Sequence, residues 1–152
     1  MNTTIEDEIL KYAERNYADT MKSGKVQRKA RILVEVSKDR LVEIALDLRK
    51  QFDFAQVVSV GAIEDSENRY EVVYHLWSPF HKVLLALKTR VESTSPKLPS
   101  LVPFFESANW HERETHEMFG IKFEGHSDLT RLLLPEDWAG GYPLRKTFKL
   151  SR

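Results

Sequence analysis

Two hydrophobic periods alternate along the first 92 residues. Ile5, Ile9, Ala13 and Tyr17 recur at helical spacing. Thr3 with Glu6, or Thr4 with Asp7, can cap that helix, because a hydroxyl accepts from a free amide while an acid sits in the first turn. Gly24 is the expected stop. Ile32, Val34 and Val36 then alternate with Arg31, Leu33 and Glu35, the period of a strand. Ser37 opens an amphipathic helix, with Leu41, Ile44, Ala45, Leu48 and Phe52 on one stripe. Burying that stripe contributes roughly 7–12 kcal/mol before chain entropy is subtracted. Ala55 to Ala62 reads as a strand, and Glu64 to Asn68 as a polar turn. Arg69 to Trp77 places Tyr70, Val72, Tyr74 and Leu76 on one face, with Val73, His75 and Trp77 on the other. After Ser78-Pro79, Lys82 to Val91 turns Val83, Leu85 and Leu87 inward and Lys82, Lys88 and Arg90 outward.

Residues 1–92 thus predict an α/β domain in the order helix, strand, helix and three strands, with helices on one face of the sheet. Residues 93–103 hold three prolines and three serines and read as a linker. Residues 104–152 are different in kind. Phe104 to Phe119 is mostly helical and ends at Gly120. Beyond it neither period persists, and glycine and proline recur. A segment this apolar and irregular buries its own surface poorly, so it should lie along its own domain or another chain. The expected class is α+β: a small mixed β-sheet covered by helices, then a helix and an extended, irregular C-terminal tail.

The predicted helix before Gly120 lacks an apolar stripe. Trp110, Arg113, Glu114 and Glu117 share one face, and His111, Thr115, Met118 and Phe119 hold the opposite side. Arg113 and Glu117 are spaced to form an ion pair. The bland expectation is a solvated surface helix. The sharper one is a charged face that docks on another subunit with Trp110 as anchor, since tryptophan and arginine often dominate interface energies.

Composition narrows the chemistry. Lys plus Arg and Asp plus Glu are 23 each, so the formal net charge is zero, which disfavours a protein that works by wrapping nucleic acid. The basic stretch of Lys22, Lys25, Arg28, Lys29 and Arg31 reads as a solvated loop and strand start, with a docking or phosphate-binding patch as its alternative. Cysteine is absent, so this chain holds no disulfide, thiolate-bound cluster or thiol nucleophile. No leader pattern opens the sequence and no apolar run is long enough to span a bilayer, so any membrane association is expected through partners. His111, His116 and His126 sit among Glu112, Glu114 and Glu117. A zinc-protease helix spaces its histidines by four. Here His111 and His116 are five apart, about 140° around a helix. No nucleophile elbow, dinucleotide fingerprint or P-loop is present.

Residues 109–146 nonetheless form a recognisable text. Asn109-Trp110-His111-Glu112-Arg113-Glu114-Thr115-His116-Glu117-Met118-Phe119-Gly120-Ile121 is followed by Phe123, Gly125-His126, Asp128-Leu129, Arg131, Leu132-Leu133, Asp137-Trp138, Gly140 and Pro143-Leu144-Arg145-Lys146. This resembles the signature of the 30-kDa subunit family of NADH:quinone oxidoreductase (respiratory complex I), with relatives in membrane-bound nickel–iron hydrogenases and F(420)H(2) dehydrogenases. The motif spans about a quarter of the chain. The first 92 residues match the family only in fold.

The resemblance implies a non-catalytic member of the hydrophilic arm of a membrane-bound, ion-translocating redox complex. It implies no catalytic residue, cofactor or metal in this chain; iron–sulfur clusters, and in some relatives a nickel–iron centre, belong to partner subunits. The implied partners are the large 49-kDa-type subunit and the small iron–sulfur subunit, in a hetero-oligomer on the cytoplasmic side of the membrane, without nucleic acid. Carried over, Trp110, Glu112, Arg113, Glu114, Glu117, Phe119, Gly120, His126, Arg131, Trp138, Pro143, Leu144, Arg145 and Lys146 are expected to lie at the interface with those partners. The sequence departs from the family at Tyr142, where histidine is frequent in complex I, and at Thr147, where aspartate is common. The end at Arg152, short of the extension in many respiratory members, tilts the expectation toward a hydrogenase, a sulfur-reducing complex or an F(420)H(2) dehydrogenase. The rival from another class is a free-standing enzyme using the His/Glu cluster of residues 111–126.

Overall fold

Thr4 starts the first helix through a reciprocal capping box with Asp7, and α1 runs Ile5–Asn16. The computed structural model describes residues 3–150. The chain continues as β1 (Met21–Arg28), β2 (Arg31–Val36), α2 (Leu41–Phe52), β3 (Gln56–Glu64), β4 (Arg69–Ser78), β5 (Val83–Glu92), β6 (Lys97–Pro99), α3 (Asn109–Phe119) and β7 (Lys122–Glu124). Single 3-10 turns precede α2 and α3. The first five strands form one mixed sheet in the order β1-β2-β5-β4-β3. Only β2 and β5 pair in parallel within it.

The expected inward faces are the buried ones. Val34 lies opposite Leu87, and Leu87 opposite Tyr74, so three strands share one apolar face. Against it pack Ile9 and Ala13 of α1 and Leu41, Ile44, Ala45 and Leu48 of α2, all without solvent exposure. The helix α3 joins that side, where Phe119 meets the edge of Tyr70 and Glu112 meets Tyr74. No helix among the described residues covers the opposite face. Glu35, Lys88, Glu71 and Arg90 form an ion network there, with N–O distances of 2.6–3.5 Å.

Two elements differ from the sequence expectation. The first is β1, absent from the predicted order. The first helix stops at Asn16, and Gly24 lies within a strand. Residues 21–28 are polar and only Met21, Gly24 and Val26 are half-buried, so no apolar alternation marks them. They form a strand because Ala30 takes a left-handed turn (φ 61°) and lays them against β2 as an edge. The second is residues 93–103, expected as a linker. Prolines keep this stretch out of the main sheet, yet β6 pairs in parallel with β7 and buries Leu98 and Leu101 in the core. No helix is long and apolar enough to cross a membrane among the described residues. Leu101→Ala should therefore cost about 2–5 kcal/mol in urea unfolding, the cost of a core cavity. A true linker residue would change stability by less than about 0.5 kcal/mol.

Candidate docking surface: helix α3 and the C-terminal segment

The missing apolar stripe of α3 has a structural reason. Its buried positions are Glu112, Thr115, Glu117 and Phe119, and two of these are carboxylates. Glu112 is fully enclosed, at 0% exposure. Tyr74 donates its hydroxyl (2.7 Å) and Leu101 its backbone N–H (2.9 Å) to Oε1, and Ser100 donates its hydroxyl (2.6 Å) to Oε2. Burial pushes its pKa above the usual carboxylate range, and these donors only partly offset that. Thus Glu112 binds the former linker to β4 and α3 at once.

Glu117, five residues on, performs the equivalent task for the tail. Its carboxylate accepts from three successive amides, Leu132 (3.3 Å), Leu133 (2.9 Å) and Leu134 (2.6 Å). Burial pushes the carboxyl up, but the three amides and the nearby Arg131 outweigh it, so its pKa lies below the usual value. Arg113 grips the preceding turn. It donates to the carbonyls of Thr130 and Arg131, both at 3.1 Å, and to the Thr130 hydroxyl at 3.0 Å. The expected Arg113–Glu117 ion pair is therefore not formed, because each side chain is engaged by tail backbone. Arg131 in turn donates to the carbonyls of Pro135 and Glu136 at 2.9 Å.

Farther along, the tail returns to the end of α3. Gly120 closes the helix in the left-handed region (φ 76°), and a Cβ there would meet Arg145 and the Tyr142 ring at 2.5–2.7 Å. Arg145 donates to the Phe119 carbonyl (2.6 Å) and stacks over Tyr142, 4.3 Å from its centroid. The backbone N–H of Leu144 donates to the Met118 carbonyl, and Lys146 reaches Glu64 and Asp65 at the β3–β4 turn. Trp138 stacks on Phe148 and donates to the Gly141 carbonyl. Between α3 and this loop lies a cleft of about 370 Å³, lined in part by His116, Glu117, Arg131, Trp138 and Tyr142.

The residues expected at an interface with partners thus divide by position. Glu112, Glu117 and Phe119 are buried, which corrects their reading as surface contacts: they serve this chain's own packing. Arg113, Gly120, His126, Arg131, Trp138 and Arg145 build the frame that holds the tail, with His126 accepting from the Asp128 amide, and Pro143 is half-buried within that tail. The side chains that face outward are Trp110 (65% exposed), Leu144 (57%), Glu114 and Lys146. Leu133, 60% exposed, joins them and was not singled out in the sequence, although three consecutive leucines in an irregular segment cannot all be sheltered. Tyr74 and Ser100, which hold Glu112, carried no sequence signal of that role. Two of the three candidate histidines are engaged locally: His116 Nδ1 lies 2.8 Å from the Ile121 carbonyl, and His126 Nδ1 accepts from the Asp128 amide. Among the described residues, no three His, Asp or Glu side chains are placed to share a metal ion.

In this small mixed-sheet fold the last helix spends Glu117 and Arg113 on fastening a tail and Glu112 on residues 100 and 101, while Trp110, Leu133 and Leu144 face solvent, an arrangement suited to one part of a larger assembly. The chain belongs to the family described as the respiratory-chain NADH dehydrogenase 30 Kd subunit, whose model matches residues 34–152, so the likeness in sequence is not confined to the motif of residues 109–146, as expected, but reaches back to β2. Its relatives include the corresponding subunit of the F(420)H(2) dehydrogenase of Methanosarcina mazei, 35% identical over 88% of this chain and 85% of that protein. The corresponding subunit of the NADH-quinone oxidoreductase of Roseiflexus sp. is 40% identical over 84% of this chain and 75% of that protein. Among solved structures, a chain of the membrane-bound sulfane sulfur reductase, an archaeal respiratory membrane complex, superposes with a TM-score of 0.82 at 25% identity, covering 95% of this chain and 85% of that one.

Glu117→Ala should leave the helices and sheet folded but make residues 125–150 at least about tenfold more sensitive to limited proteolysis, since three amides lose a charged acceptor. Glu117 has a lowered pKa, so its contribution is fully present above the unfolded value of 4.5 and is lost as pH falls through its lower folded value. The same segment should therefore loosen in mild acid, read by hydrogen exchange. Glu112 has the opposite sign. Its raised pKa means that the wild type loses stability relative to Glu112→Gln as pH rises from 4.5 through the folded value. Paired thermal melts across that range check it.

Proposed function

We propose that this chain is a non-catalytic member of a membrane-bound, ion-translocating redox complex, and that α3 with the tail is its docking surface. The single observation that carries this reading is the outward display of Trp110, Leu133 and Leu144 from a frame of charged and backbone hydrogen bonds. Apolar side chains at 57–65% exposure lose free energy to water unless a partner covers them. A rigid frame lowers the ordering cost when one does. The family and its relatives in oxidoreductase and respiratory complexes support the same assignment.

In this reading the partner on α3 and the tail is the large 49-kDa-type subunit, with the small iron–sulfur subunit nearby. Iron–sulfur clusters, and a nickel–iron centre if the complex is a hydrogenase, reside in those partners. The chain sits peripherally on the cytoplasmic face and meets the membrane through the assembly. Its contribution to turnover is positional: it holds redox subunits in register and moves no electron itself.

Trp110→Asp combined with Leu133→Asp should leave circular dichroism and the melting profile of the chain unchanged while reducing co-purification with the large subunit at least about tenfold, because two anchors are replaced by charges that need water. Lys50→Asp on the solvent side of α2 is the control. Undiminished co-purification of the double variant would overturn the docking assignment. The rival enzyme reading requires stoichiometric metal in the purified chain, or activity lost on His116→Ala; metal analysis is expected to find none.

A further inference from the structure

The basic stretch of Lys22 to Arg31 has no part in α3 or the tail. It folds into the β1–β2 hairpin, whose turn lies beside the β4–β5 turn. Between the two turns is a cleft of about 630 Å³, lined by Arg28, Lys29, Arg31, Lys82, Trp77 and Leu84, with Ala30 at the turn. Arg31 and Trp77 each lie opposite Leu84, on the sheet face that the helices leave bare. The floor continues along that face through Ala86 and its two register partners, Leu33 and His75.

Three features of this cleft select its ligand. First, it is cationic without compensation. Arg28, Lys29, Arg31 and Lys82 are all exposed, and among the described residues none forms an ion pair. Among the described residues no acid lines the cleft, and only Lys29 also borders a neighbouring cleft that holds Glu6 and Asp7. The nearby acid Glu6 reaches the turn from the helix side, where it is buried and accepts from the Ala30 amide. Second, the backbone offers no cradle for a phosphate, which converging free amides provide elsewhere. The amides of Ala30, Lys82 and Leu84 already donate to Glu6, to the Ser78 carbonyl and to the Ala30 carbonyl. Third, the floor is an indole and a leucine, both half-buried. Long cationic stems around an apolar floor match carboxylates spaced along a chain with apolar side chains between them.

We propose that this cleft is a second docking site and that it takes an acidic, leucine- or phenylalanine-containing segment of a partner protein. The segment's carboxylates pair with Arg28, Lys29, Arg31 and Lys82, and an apolar side chain seats on Trp77 and Leu84. The helix α3 packs on β3 at the far edge of the sheet, so both surfaces can be occupied together. The electrostatic part of the binding weakens with added salt, and the apolar floor sets the residue between the acids.

The test uses the full chain and a fluorescent peptide of alternating glutamate and leucine, read by anisotropy at low salt. Saturable binding is expected, weakened at least about tenfold by Arg31→Glu with Lys82→Glu, weakened less by the Arg31→Gln, Lys82→Gln pair, and unaffected by Lys50→Glu. Circular dichroism checks each fold; if charge reversal unfolds the chain, the glutamine pair decides. The Trp110→Asp, Leu133→Asp chain should still bind the peptide, which separates this site from the α3 surface. Peptide affinity unchanged in the charge variants, or absent in the wild type, would overturn the proposal. So would inorganic phosphate or phosphatidylglycerol vesicles that displace the peptide at equal charge concentration.

Discussion

Backbone outside helices and sheets still needs hydrogen-bond partners wherever water is excluded, and in this protein side chains of one helix supply them. Glu112 accepts from the Leu101 amide, Glu117 from the amides of Leu132 to Leu134, and Arg113 donates to the carbonyls of Thr130 and Arg131. Charged hydrogen bonds of this kind are about twice as strong as neutral ones. They let residue 101, just past β6, and residues 130–134 of the tail lie against the domain where no strand ladder reaches them. The cost is visible in Glu112, a carboxylate held in the core by three donors and no cation.

That arrangement explains how an irregular, leucine-bearing segment reaches the surface in one defined shape. Once the amides of residues 132–134 are fastened inward to Glu117, Leu133 is left facing out. The Arg113 guanidinium, which holds the turn before it, also lies 5.9 Å from the centroid of the Trp110 ring. Interior polar bonds and exterior apolar display are two aspects of a single geometry. The bare sheet face shows the reverse economy: its middle is closed by the Glu35–Lys88–Glu71–Arg90 network, whereas the cations at its β1–β2 end form no ion pair among the described residues.

Much of this was legible in the chain. The alternation of Tyr70, Val72, Tyr74 and Leu76, the stripe of α2 and the Thr4 capping box predicted elements that the structure contains. The strand β1 was not legible, because an edge strand of mostly exposed residues carries no apolar period; only pairing with β2 reveals it. Residues 93–103 misled through their prolines, since composition reports what a segment cannot form and is silent on whether Leu98 and Leu101 are buried. The candidate site was found by its motif, but its internal division was not. A wheel places Arg113 and Glu117 side by side and so predicts an ion pair. The wheel holds no tail, and tail amides and carbonyls compete for both groups and win.

By itself, then, the sequence determined the periods of burial, the end of α3 at Gly120, the lack of any thiol chemistry and the family to which the chain belongs, because these depend on local spacing and residue type. Tertiary structure alone decided that Glu112 and Glu117 turn inward while Trp110 and Leu133 turn outward. It also decided that the β1–β2 and β4–β5 turns meet around one basic cleft. Those outcomes rest on contacts between residues far apart in the chain. The direction a charged side chain takes is set by which distant backbone groups still lack a partner, and no local pattern records that.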